Sequence, residues 1–421
     1  MSQTSVSTAG VLVQGLSRFG YTILIGRFMG KEDLAHVSAL LALALVFSLF
    51  WPTGAGNAAS HFLASSRARG RSPVPALRVI GRSFWISMAV IVIVGVPCAV
   101  LVLDVPLSDG VVFAALVVAY SGYILSRGVE VGLGRFTRAA LWDLISAASA
   151  ILVLAAVLIA HATTLLLWPL VISYSIFSVN TALRGHRGHS SLDPSPSFST
   201  ATILRFSFVN SIGLLASNGL IQLSMVWVFA LERTSDAGVF AAAMSLATPA
   251  SMLSQAISQA LIPRFSAWVA VDRSNVRRRY LQVLAVLTGF FVAVFGMVWA
   301  ASPLIIRIIY GEPYTSATPI MQLLLVGVCA FSIGLVANAF LITSGRAVIT
   351  TVISAVGLVV GLIVTALLSS FEAPGIGAAL GVVAGYIVAA VGLVGWSIAA
   401  PLPAAEGLRP EDDAGVALRG P

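Results

Sequence analysis

The sequence predicts an all-α polytopic membrane protein, with twelve transmembrane helices in two pseudo-symmetric six-helix lobes. Three observations carry this. Of 421 residues, 58% are apolar and only 10% charged, with a mean hydropathy of +0.98. A soluble domain averages about 25% charged residues, so this chain lacks the polar surface of a soluble enzyme, a nucleic-acid binder or a secreted disulfide scaffold. Apolar runs of the length that spans a bilayer, about 20 residues, recur twelve times. Finally, the basic residues fall in alternate connections between those runs.

The runs lie at 11–29, 36–64, 84–103, 111–129, 139–160, 164–182, 203–230, 237–262, 280–300, 317–342, 348–369 and 375–399. The first follows MSQTSVSTAG, which has neither a basic n-region nor a small-residue cleavage site, so it is expected to stay as an anchor. It carries Gln14, Arg18 and Thr22 at steps of four, on one helix face. The second repeats the spacing with Thr53, Asn57 and His61. The third offers only Ser87 in its interior. Between the fourth and fifth spans an Arg-rich connection holds Arg127, Arg135 and Arg138 beside Glu130 and Asp143, which reads as local ion pairing. His161-Ala162-Thr163-Thr164 separates the fifth span from the sixth. The connection 183–202, rich in Gly, His, Ser and Pro, shows no catalytic pattern.

The seventh span opens at Arg205 and carries Ser211, Asn218 and Gln222, with Asn210 beside them. The eighth carries Thr248, Ser251, Gln255 and Gln259. The ninth has little beyond Thr288. Cys98 and Cys329 fall inside apolar runs and suit small buried packing positions rather than a disulfide or a metal site. The tail 400–421 is acidic, rich in Pro and Gly, and expected to be disordered.

Orientation follows from charge. One set of alternate connections holds nineteen basic residues and the other only Arg27, Lys31, Arg233 and Arg307, with Arg18 left inside the first span. The richer set marks the cytoplasmic side, which places both termini there. The net charge of +8 therefore orients the chain and does not build a nucleic-acid groove.

The halves are related. Asp33 opens DLAHVSALLALA and Asp236 opens DAGVFAAAMSLA, identical at four of twelve positions and 203 residues apart. Each leads toward an Arg-rich inner connection, Arg67 to Arg82 and Arg264 to Arg279. Both segments start outside, so the repeat is parallel, as in transporters built of two facing bundles. The lobes are 1–199 and 200–399.

Polar residues inside spans face a wet cavity or a neighbouring helix. Any single Ser, Thr, Asn or Gln is explained as interhelical hydrogen-bond glue, worth about 0.6 kcal/mol. A coordinated set on spans one, two, seven and eight points instead to a shared cavity. Its candidate substrate-binding residues are Arg18, Gln14, Asn57, Arg205, Asn218, Gln222 and Gln255. Arg18 sits inside an apolar run, where a central Arg costs about 2.5–3.5 kcal/mol. Snorkelling toward the headgroups is the competing explanation. Arg18 and Arg205 together suit a phosphate or pyrophosphate. The four stripes hold no Asp or Glu, no catalytic or metal-binding set is evident, and no nucleotide-binding motif is present.

LSRFGYTILIGRFMGKEDLA (Leu16 to Ala35), LWDLISA, the stretch Asp236 to Pro263, and IIYGEPYTSATPIMQLLLVG (Ile308 to Gly327) resemble the polysaccharide-transporter branch of the multidrug/oligosaccharidyl-lipid/polysaccharide (MOP) exporter superfamily. That branch contains the flippases of O-antigen and capsule repeat units. The resemblance implies a MATE-like pair of six-helix lobes working by alternating access, without covalent chemistry or a cofactor. It implies a polyprenyl-pyrophosphate-linked oligosaccharide as substrate, the bacterial cytoplasmic membrane as location, and a polysaccharide polymerase and assembly proteins as partners. Arg18 matches a basic residue of the first helix in related lipid-linked precursor flippases. A cation-coupled multidrug exporter and a membrane glycan polymerase or ligase remain as alternatives.

Overall fold

A computed structural model describes residues 3–184, 198–232, 235–271, 273–371 and 373–399. The Gly/Ser/Pro-rich segment 185–197 and the tail expected to be disordered lie outside them. The described chain is helical throughout, in the order α1 (Gln3–Phe28), α2 (Lys31–Phe50), α3 (Pro52–Ala68), α4 (Val74–Val102), α5 (Leu107–Gly132), α6 (Phe136–Ile159) and α7 (Trp168–Arg184). There follow α8 (Thr200–Leu231), α9 (Ser235–Val271), α10 (Arg273–Ile309), α11 (Ala317–Thr343), α12 (Ala347–Leu368) and α13 (Pro374–Ala399). Short 3-10 turns precede α7 and α11, at Thr163–Leu165 and Glu312–Tyr314. Among the described residues, eleven helices are long and apolar enough to cross a membrane. The first span, α1, has its apolar run diluted by its polar face, and it completes the predicted twelve.

One prediction needs correction. The second span is not one helix but two, α2 and α3, broken at Trp51. Pro52 has no N–H to continue the ladder, and its ring pushes the preceding residue out of the α region. Trp51 accordingly sits at φ −145° and ψ −46°. A break inside a membrane survives only if its freed backbone groups find partners. Here Thr53 Oγ1 donates to the Ser48 carbonyl at 2.9 Å, and the Trp51 carbonyl accepts from Ala55 N at 2.9 Å and from Ser211 Oγ at 3.4 Å. The cysteines also differ from expectation: both are half-buried rather than buried.

The chain divides into two compact units, Met1–Ala242 and Ala243–Pro421. In the first, α8 packs along α2, α3 and α4, while α1 packs on α6 and α3 on α5. Glycine sets the α3–α5 distance: a Cβ on Gly128 would lie 2.1 Å from the Gly56 carbonyl oxygen, and one on Gly132 would lie 2.6 Å from that of Ala59. Without a hydrophobic force between helices in lipid, such small residues allow the backbone approach that holds a bundle together. Gly128→Ala should therefore destabilise the protein by about 1–3 kcal/mol through overpacking. Gly81→Ala, in α4 where a Cβ meets nothing within 4 Å, should be near neutral. Thermal unfolding of both purified variants checks the pair, and equal effects would refute the packing account.

In the second unit α13 packs between α11 and α12. Gly361, Gly381 and Thr365 form one close crossing there, and Gly357 lies against Gly385 and Ala389 in another. Tyr280 stacks on Phe340 with ring centroids 4.0 Å apart, and its hydroxyl shares a 2.6 Å hydrogen bond with Ser397 Oγ.

Candidate functional site

The polar face of α1 is built against α6. Gly10 leaves room for the Asp143 side chain, since a Cβ there would lie 2.3 Å from Asp143 Oδ2. One turn on, Gln14 Nε2 donates to the Asp143 carbonyl at 3.3 Å, and Ser17 Oγ donates to the Ala147 carbonyl at 3.1 Å. Tyr21 donates its hydroxyl to the Leu166 carbonyl. Gln14 thus holds two helices together through its amide nitrogen. Thr22 turns back onto its own helix, donating to the Phe19 carbonyl at 2.9 Å.

Arg18 does something different. Its guanidinium carbon lies 5.8 Å from the centroid of the Tyr120 ring, on α5. It makes no ion pair and no side-chain hydrogen bond among the described residues. A cation–π contact stabilises such a charge, about 0.5–2 kcal/mol depending on desolvation, but leaves its N–H donors free. The Tyr120 ring meets that of Tyr174 on α7 at 5.1 Å, and Tyr174 meets Tyr123 at 5.2 Å. A tyrosine cluster on α5 and α7 therefore lies against the arginine that α1 presents.

The carboxylates nearby are already engaged. Asp143, fully buried, accepts from Arg127 Nε at 3.1 Å and from the Tyr123 hydroxyl at 2.8 Å. Glu130, also fully buried, faces Arg135 Nη1 at 3.9 Å and Arg138 Nη1 at 3.8 Å, while Arg138 Nη2 donates to Asn180 at 2.9 Å. These are the ion pairs that the Arg-rich connection implies. Each acid is neutralised by cations of α5, α6 or the turn between them, so neither is the partner of Arg18.

The remaining candidates divide. Asn57 on α3 donates Nδ2 to Asn210 Oδ1 on α8 at 2.7 Å, and both residues keep solvent-accessible surface. Asn218 donates to Ser217 Oγ at 2.9 Å and to the Leu214 carbonyl at 3.4 Å, inside its own helix. Gln222 has a buried Oε1 with no hydrogen-bond partner. Arg205 is exposed at the start of α8. His61 stacks on Phe206 at 5.0 Å within an aromatic group that includes Phe62 and Phe198, a packing role. In the second unit Gln255 is half-buried on α9. Its neighbours Ser254 and Ser258 bond to α11, at Ser332 Oγ (2.6 Å) and the Leu335 carbonyl (3.1 Å). Within the first unit the structure thus brings Gln14 and Arg18 to one face beside α5, α6 and α7, and Asn57 with Asn210 to another pairing.

Sequence reasoning missed Tyr120, Tyr123 and Tyr174. Aromatic residues in an apolar span read as core. A phenol inside a membrane span needs a partner, but the chain's other tyrosines carry the same signal, and only the helix packing sets these three apart.

The family described as polysaccharide biosynthesis protein matches residues 2–269. No curated protein sequence matches the chain. Among solved structures, an inward-facing multidrug resistance MATE family transporter of the MOP superfamily aligns at 16% identity over 93% of each chain, with a TM-score of 0.75. The lipid II flippase MurJ in an inward closed conformation aligns at 14% identity over 92% of this chain and 86% of that one, with a TM-score of 0.72. The eukaryotic MATE transporter AtDTX14 aligns at 14% identity over 95% of this chain and 96% of that one, with a TM-score of 0.66. The chain has the fold of these proteins.

Proposed function

The chain belongs to the polysaccharide biosynthesis protein family, and from that premise we propose that it is a flippase. It moves a polyprenyl-pyrophosphate-linked oligosaccharide repeat unit from the cytoplasmic to the outer leaflet of a bacterial cytoplasmic membrane, by alternating access. The lobes that rock are 1–199 and 200–399, both termini are cytoplasmic, and the reaction makes and breaks no covalent bond.

The observation that carries this reading is Arg18. A guanidinium inside a transmembrane span, resting on Tyr120 and without a carboxylate among the described residues, is a costly placement in a bilayer. An anionic headgroup offsets that cost through charge-assisted, bidentate hydrogen bonds. The family match supports a glycan substrate, and the pyrophosphate supplies the charge. Asn57, Asn218, Gln222 and Gln255 are the amides proposed to meet sugar hydroxyls. Gln14 keeps its carbonyl oxygen for the same purpose, and Arg205 makes the cytoplasmic approach positive. The outer-leaflet product then passes to a polymerase and its assembly partners.

Mass spectrometry of polyprenyl-linked intermediates in a strain lacking the protein tests this, with sidedness read by an impermeant glycosidase. Complete oligosaccharide-lipid held on the cytoplasmic face is the expected result. An unchanged lipid pool with altered drug tolerance would replace this reading by a drug exporter. A repeat unit that crosses but stays unpolymerised would replace it by a polymerase.

A further inference from the structure

The layer around Arg18 contains several buried tyrosine and serine hydroxyls, most of them with partners. Tyr123 donates to Asp143 at 2.8 Å, Tyr21 donates to the Leu166 carbonyl, and Ser146 and Ser173 bond one another at 2.8 Å. Tyr174 is an exception. The side chain is 1% exposed, and its hydroxyl has no hydrogen-bond partner. Leaving a buried hydroxyl unpaired costs about 1–3 kcal/mol. Phenylalanine would fill the same space without that cost, so the oxygen is retained for something other than packing.

Tyr174 stands one ring away from Arg18, which makes no ion pair among the described residues. Its ring meets that of Tyr120 at 5.1 Å, the ring over which Arg18 lies. The unused groups of this layer are therefore the Arg18 N–H donors and the buried phenolic O–H of Tyr174, with the O–H of the partly exposed Tyr120 beside them. Such a set does not suit a cation. A neutral acceptor such as a sugar hydroxyl would satisfy the phenol yet leave the guanidinium charge unmatched. A phosphoryl oxygen satisfies both.

We propose that Tyr174 is a positioning residue for a phosphoryl group: its O–H donates to one oxygen of a phosphate or pyrophosphate whose charge Arg18 meets, while the Tyr120 ring holds the guanidinium plane. The inference rests on the reading of Arg18 given above and adds a second donor, from α7, that fixes the orientation of the headgroup. Charge attracts an anion from any direction. A buried phenol in a close-packed aromatic cluster accepts only one placement.

The test uses the full chain in nanodiscs of a zwitterionic lipid, as wild type and as Tyr174→Phe, with polyprenyl pyrophosphate, the neutral polyprenol and inorganic pyrophosphate as probes. Tyr174→Phe should bind polyprenyl pyrophosphate about tenfold more weakly, the loss of one hydrogen bond to a charged group. Polyprenol binding should not change. The ligand-free variant should unfold at a higher temperature than wild type, because an unpaired buried hydroxyl has gone. That opposite movement of stability and affinity distinguishes a ligand contact from a structural one.

Wild-type binding of polyprenyl pyrophosphate that Tyr174→Phe leaves intact overturns the inference and leaves the Arg18 reading standing. A lowered unfolding temperature with unchanged affinity overturns it too, by assigning the hydroxyl to the fold. Inorganic pyrophosphate bound as tightly as the lipid form, with the same tenfold loss in the variant, upholds Tyr174 but overturns the lipid-flippase reading. A wild type that binds neither overturns both.

Discussion

Replacing Arg18 by Ala is expected to lower glycan export about a hundredfold while the protein inserts and accumulates as before. The magnitude follows from two charge-assisted hydrogen bonds to one headgroup, about 3 kcal/mol together. The unchanged abundance follows from what Arg18 does not do. It forms no ion pair among the described residues, so its removal leaves no charge stranded, and an apolar residue at that depth inserts more readily. The measurement is export of surface glycan against protein level in the same cells. Normal export at normal abundance would reduce Arg18 to a snorkelling residue and remove it from the site. Arg18→Lys separates two forms of recognition: retained export assigns a point charge, and lost export assigns the bidentate fork.

The second large effect concerns stability. Arg127→Met should cost about 3–5 kcal/mol, because it strands the fully buried Asp143 carboxylate with only the Tyr123 hydroxyl as a polar side-chain partner. Asp143→Leu should also destabilise, because it removes the acceptor of both Arg127 Nε and the Tyr123 hydroxyl. The double variant should recover part of the Arg127→Met loss, since no buried carboxylate is then left without its cation. Thermal unfolding of the three purified variants measures this. A double variant as unstable as Arg127→Met would mean that the carboxylate's contacts with α1, at Gly10, matter more than its charge. If Asp143→Asn unfolded normally yet lost export, the acid would belong to transport rather than to the fold.

The second span shows how far hydropathy reaches. Residues 36–64 are apolar enough to cross a bilayer, so summing along the chain finds the crossing. It does not find the break at Trp51. Pro52 announces a disruption, but whether the helix kinks, stops or restarts depends on partners for the freed carbonyls. One of those partners is Ser211, 160 residues away. Gln14 and Arg18 make the same point. They share a face and looked alike in sequence, yet Gln14 is tied to the Asp143 carbonyl and Arg18 is not tied to any polar group among the described residues.

The sequence by itself determined the membrane class, the number of spans and the pairing of Glu130 and Asp143 with arginines. These depend on composition, on run length, and on charges that are close along the chain. Tertiary structure alone decided which polar groups are already satisfied, because that depends on helix crossings between segments more than a hundred residues apart. It separated Arg18, with donors to spare, from Gln14, Asn57 and Asn218, whose amides bond to neighbouring groups. It also placed beside Arg18 the buried hydroxyl of Tyr174, which no periodicity in its own helix distinguishes from core.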